Sequence, residues 1–112
     1  FMKTDLVEIF QTIRAAAQPY ATLGFSNRLN TDKTYDLWSD KNIETDAENR
    51  TESFFISISI RQDHVLLRTG FDYKLLGNQS AIEIKQLDNV LMKQIEETFA
   101  VGYKMFKERE WV

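Results

Sequence analysis

The feature that most constrains this chain is a pair of apolar runs that make sense only when they face each other. Ser53 to Arg61 alternates Ile56, Ile58 and Ile60 with Ser57 and Ser59, and His64 to Tyr73 follows after a short polar break. Antiparallel pairing with Ile60 opposite Val65, Ile58 opposite Leu67, Ile56 opposite Thr69 and Phe54 opposite Phe71 makes one side of the ribbon almost wholly apolar. The other side then carries Ser59 with Leu66, Ser57 with Arg68, and Phe55 with Gly70, a ring lying over a bare cross-strand glycine. A slip of one residue sets isoleucine against serine or arginine on both faces, so the apolar pattern itself fixes the register.

Helical periodicity brackets this ribbon. Leu6, Ile9, Phe10, Ile13, Ala16 and Ala17 recur at spacings of three and four, which predicts a first helix over residues 4 to 18, with Thr4 as N-cap and Pro19 at its stop. Leu87, Leu91, Ile95, Phe99, Tyr103 and Phe106 predict a long second helix with Asp88 as N-cap. Gly102 inside that helix costs about 1 kcal/mol relative to alanine, which points to close backbone approach, with Ala15 to Ala17 as the neighbouring run. Residues 21 to 40 read as a hairpin around Asn30 to Lys33, and Ala81 to Lys85 as a short strand. The register of the first hairpin stays open, because loops of different length set Trp38 against different partners and a slip moves it to the other face. Residues 41 to 52 hold one large apolar side chain, Ile43, and read as a solvated connection.

These elements predict one α+β domain over residues 1–112: two layers, an antiparallel sheet of four to five strands, and the N-terminal and C-terminal helices packed on one face. The other sheet face is left without helices. No cysteine is present, so the core must hold itself together without disulfides or thiolate metal sites. A formal net charge of −3 disfavours nucleic-acid binding, which usually goes with a basic excess on one face. The longest apolar runs fall far short of the roughly 20 residues that a bilayer span needs. With no apolar signal core near the N-terminus, the expected home is cytoplasmic and no membrane is involved.

The stretches Ser53 to Ile60, His64 to Gly70 and Ile82 to Asp88, leading into a long helix with Gly102-Tyr103-Lys104, resemble the YdhG-like domain family of small bacterial proteins. The resemblance covers roughly residues 53 to 112 and is one of pattern. It implies a sheet with two helices, and, because some members are labelled iron chaperones by a frataxin-like argument, it implies iron handling as one function. A Tyr-Gly-x-Pro turn frequent upstream in that family has no counterpart in Asn30 to Tyr35.

Chemistry-bearing residues are sparse. His64 is the single histidine and reads as a turn residue beside Asp63, since neighbours on a strand point to opposite faces. The four scattered glycines form no phosphate cradle, and one histidine without any cysteine supplies no nucleophilic triad. No catalytic residue, no cofactor and no metal ligand set is singled out. Seven carboxylates against three basic residues crowd positions 30 to 52. They read as a solvated acidic segment, and exposed Asp36, Asp40, Asp46 and Glu48 are what a metal-handling protein would use.

The remaining signal is aromatic. Phe55, Leu66 and Arg68 fall on the helix-free face, and Trp38 joins them in one register of the first hairpin, giving an apolar patch with a cation. A non-catalytic binding or interaction domain is therefore expected, its occupant a small molecule, a protein or, most simply, a second copy in a homodimer. The alternative is a frataxin-like protein that handles iron on its carboxylates.

Overall fold

Two amphipathic helices and a ribbon with one apolar side can bury their apolar surfaces together in a single layer contact. That is the arrangement seen in a computed structural model, which describes residues 2–39, 43–45, 48–50, 54–70 and 81–112. The elements are β1 (Met2–Lys3), α1 (Leu6–Ala17), a 3-10 helix (Gln18–Thr22), β2 (Phe25–Ser26), β3 (Thr34–Ser39), β4 (Ile43–Thr45), β5 (Glu48–Arg50), β6 (Phe54–Ile60), β7 (Val65–Thr69), β8 (Ala81–Ile84), β9 (Leu87–Asp88) and α2 (Asn89–Glu108). The main sheet has the order β2-β3-β6-β7-β8, with every neighbouring pair antiparallel.

The central ribbon adopts the expected register: Ile56 pairs with Thr69, Ser57 with Arg68, Ile58 with Leu67, Ser59 with Leu66 and Ile60 with Val65. Phe71, the expected partner of Phe54, lies outside the described residues. The first hairpin forms between β2 and β3, Phe25 opposite Ser39 and Ser26 opposite Trp38. Across the sheet, Tyr35, Ile58, Leu67 and Ile82 line up on one face, and Asp36, Ser57, Arg68 and Ala81 on the other.

The first of these faces is the core. Tyr35, Leu37, Ile56, Ile58, Val65, Leu67 and Ile84 are buried there together with Ile9, Phe10, Ile13 and Ala17 of α1 and Ile95, Phe99 and Phe106 of α2. Each fully buried side chain of this size contributes about 1.5–3 kcal/mol relative to its exposed state, so the interlocking of both helices with one sheet face dominates stability. The fold is α+β, as the periodicities imply.

Local chemistry sets the helix ends. Asp5, one residue later than the expected Thr4, caps α1 by accepting from Val7 N (2.8 Å) and Glu8 N (3.3 Å). Both residues are good caps, but the shorter helix leaves Asp5 extended and free to reach back. α1 stops at Ala17 with Gln18 as its C-cap, just ahead of Pro19 as expected, and Pro19 sits in the first turn of the 3-10 helix that follows, where its missing N–H costs no bond. Asp88 caps α2 through Leu91 N at 2.8 Å, as expected. Gly102 is buried on α2.

Three further features complete the domain. Met2–Lys3 pairs with Leu87–Asp88 as a second, two-stranded sheet that ties the N-terminus to the start of α2. The connection expected to be irregular holds a short ribbon, with β4 antiparallel to β5. The chain beyond α2 also turns back on the domain. The Trp111 ring packs edge-on against Phe106 with centroids 5.3 Å apart, the Ser39 hydroxyl donates to the Trp111 carbonyl, and Val112 lies over Gly24. Gly24 has φ +104°, a conformation that glycine alone adopts without strain.

Candidate functional site

The helix-free face is built from β3, β6 and β7, and strict alternation decides most of its membership. Leu66 and Arg68 stand on it through their pairing with Ser59 and Ser57, and Trp38 joins them because it follows Asp36 by two residues. The open question of the first hairpin is thereby closed: Trp38 belongs to this face, opposite Ser26.

Phe55 does not belong to it. Between Leu37 and Trp38 the register of β3 on β6 shifts, so that Leu37 faces Ile56 and Trp38 faces Phe54, leaving Phe55 as the extra residue of a β-bulge. The bulge turns Phe55 inward, where it is 0% exposed and stacks on Phe25 at 4.3 Å and 9°, with the Phe106 and Tyr20 rings edge-on to it. Packing two consecutive residues, Phe55 and Ile56, into the core outweighs one regular pair in the ladder. Phe54 takes the outer position instead. It is the Phe54 backbone and ring, and not Phe55, that crowd Gly70: a Cβ on Gly70 would overlap the Phe54 carbonyl oxygen.

The resulting platform is aromatic and cationic. Trp38 and Phe54 are half-buried with ring centroids 5.2 Å apart and planes tilted by 58°. The Arg28 guanidinium carbon sits 4.2 Å from the Trp38 ring centroid and that of Arg68 lies 5.7 Å from Phe54, so each ring carries a cation on it. Among the described residues the buried Trp38 indole N–H meets no hydrogen-bond partner, an uncommon state that costs free energy. Arg28 was not singled out by sequence reading, because its place depends on how the chain bends between β2 and β3. That bend is fixed by Asp36, whose Oδ1 accepts from Arg28 N at 2.8 Å and Leu29 N at 2.9 Å, while Asn27 Nδ2 donates to Asp36 O at 2.6 Å.

The same bonds remove Asp36 from the exposed carboxylates expected for metal handling. It is 5% exposed and its carboxylate serves the backbone. Asp40 and Asp46 lie outside the described residues, and Glu48 is on β5. Among the described residues no group of three or more His, Cys, Asp or Glu side chains could hold a metal ion. Also among them, no helix is long and apolar enough to cross a membrane.

A second polar cluster marks the β6–β7 turn. His64 Nδ1 and Asp63 Oδ1 are 2.7 Å apart, so adjacent residues do meet here, because the turn releases them from strand alternation. His64 Nε2 lies 3.7 Å from Glu83 Oε1, and Lys85 Nζ lies 3.7 Å from Asp63 Oδ2. The hydrogen bond from His64, and then the nearby Lys85 charge, hold the Asp63 carboxyl below the usual carboxylate range. The cluster thus joins the hairpin tip to edge strand β8 by ionic contacts on the surface.

Comparison with known proteins gives no relative: no family model matches the chain, and no curated protein or solved structure is significantly similar to it.

Proposed function

We propose that this domain is a non-catalytic interaction module that uses the helix-free sheet face, with a second copy of the chain as its occupant. The observation that carries the reading is the Trp38–Phe54 pair, two large rings on the side of the sheet away from both helices, each with a guanidinium over it. Aromatic residues and arginine are the side chains enriched where interfaces carry their binding energy.

A two-fold dimer needs a patch complementary to itself. This face supplies the parts: rings, the apolar Leu66, the exposed cation Arg68, and Glu83 beside Leu66 on β8. Facing another copy, Arg68 can meet a carboxylate or ring of its partner while Leu66 and Phe54 lose water. The absence of cysteine and the single histidine favour binding over covalent chemistry. A cytoplasmic setting and kinship with YdhG-like domains form part of the same proposal, the latter resting on the pattern of residues 53 to 112.

Sedimentation velocity decides the matter. Wild-type protein at tens of micromolar should run as a dimer, and Leu66→Asp and Arg68→Glu as folded monomers. A wild-type monomer, or a dimer indifferent to both substitutions, overturns the reading.

A further inference from the structure

Away from the aromatic platform, α1, the turn between β2 and β3 and the end of β6 enclose a groove of about 350 Å³ lined by Val7, Gln11, Arg14, Asp32, Lys33 and Ile60. Spacings of four and three set Val7, Gln11 and Arg14 along one stripe of α1. The opposite wall is anchored by the Lys33 carbonyl, which accepts from Ile60 N at 2.8 Å and so ties the turn to the last residue of β6.

Arg14 dominates the chemistry of this groove. Its guanidinium carbon lies 5.1 Å from the centroid of the Phe10 ring, and the side chain is half-buried. A guanidinium held over a ring can still use its edge N–H groups to bind a further acceptor. Among the described residues, neither Arg14 nor Lys33 has a carboxylate within ion-pair distance, although both are cations at the same groove. Arg14 also acts on the neighbouring Tyr35: burial raises the phenol's pKa and the Arg14 charge draws it part of the way back.

We propose that this groove binds a small organic monocarboxylate, the carboxylate on Arg14 and the hydrocarbon part on Val7 and Ile60. Two cations and the single acid Asp32 leave one net positive charge, which one carboxylate neutralises. A planar fork matches a carboxylate through two parallel hydrogen bonds. Lys33 adds a second, more mobile charge at the rim, and Gln11 supplies an amide for a further polar group. The volume falls at the small end of ligand pockets, about 300–1,000 Å³. Val7 is 50% exposed, an apolar surface that an aromatic or short aliphatic group would cover. This site shares no residue with the proposed dimer face, so each stands or falls by itself.

The test is an amide-resolved NMR titration of the full chain with benzoate, benzamide and inorganic phosphate. Benzoate should give saturable shifts at Val7, Gln11, Lys33 and Ile60, with benzamide weaker by about tenfold, the loss of one charge-assisted hydrogen bond. Arg14→Gln should weaken benzoate by about tenfold or more with the rest of the spectrum unchanged, and Lys33→Gln by about threefold. Should Arg14→Gln fail to fold, the benzoate-to-benzamide ratio on wild-type protein and the Lys33→Gln variant decide alone. Equal binding of benzoate and benzamide, tighter binding of phosphate than of benzoate, or no saturable shift at about 50 mM, well above any millimolar dissociation constant, each overturns the proposal.

Discussion

The two ends of β6 lie on the same partner strands yet obey different rules. From Ile56 to Ile60 every second side chain enters the core and those between face outward, so face and register follow from alternation alone. At Phe54 and Phe55 the bulge inserts one residue, and alternation gives the wrong answer for both rings. The contrast teaches that a period-two pattern is reliable where the ladder is regular, and that two adjacent large rings signal only that one faces in and the other out. What decides between them is the neighbouring strand, since Phe25 and Phe106 offer Phe55 a place in the core.

The largest expected effect separates the two rings directly. Phe55→Ala empties a site inside the aromatic cluster and should cost about 3–5 kcal/mol, whereas Phe54→Ala removes a half-exposed ring and should cost about 1 kcal/mol. Urea midpoints of the two variants measure the difference. Equal losses would mean that the bulge does not divide the rings between faces.

Much of the fold was legible because burial drives it. Ile58 and Leu67 had to share a face, α2 had to start at Asp88, and the sheet had to be covered on one side. The candidate site was legible only in part. Leu66 and Arg68 follow from strand parity, but Trp38 depends on the register of the first hairpin, Phe54 on the bulge and Arg28 on a bend held by a buried carboxylate. Asp36 in a run of acidic residues looks solvated, and nothing local distinguishes it from Asp32, which is exposed at the turn. Its role comes from the long-range fact that the β3 backbone stands beside Arg28 and Leu29.

Gly70 sharpens the comparison at the next level of effect. It donates to the Phe55 carbonyl at 2.8 Å, and its missing side chain lets the Phe54 carbonyl come close. Gly70→Ala should therefore cost about 1–3 kcal/mol by overpacking against backbone that cannot swing aside, while also disturbing the aromatic platform. Full stability in thermal unfolding would show that the bulged end of β6 has room to adjust. At the regular end, by contrast, Leu66→Asp changes a half-exposed position and should alter monomer stability by about 1 kcal/mol or less, so that its effect on assembly can be read cleanly.

The smallest expected effect lies at the hairpin tip, and its sign is fixed by the lowered Asp63 carboxyl. A carboxylate held below its unfolded value contributes stability that is fully present above the ordinary carboxylate range. That contribution disappears as the pH falls through the group's own lowered value, because the folded and unfolded chains then bind the same proton. Asp63→Asn should thus be slightly less stable than wild type near neutrality, and the two unfolding midpoints should converge in strong acid. Asp63 is exposed and its partners are screened by water, so added salt should shrink the difference further. A gap that stays constant from neutral to acid pH would mean that His64 and Lys85 hold the turn by shape alone. The tip would then resemble the regular half of β6 in owing its geometry to the ladder and not to charge.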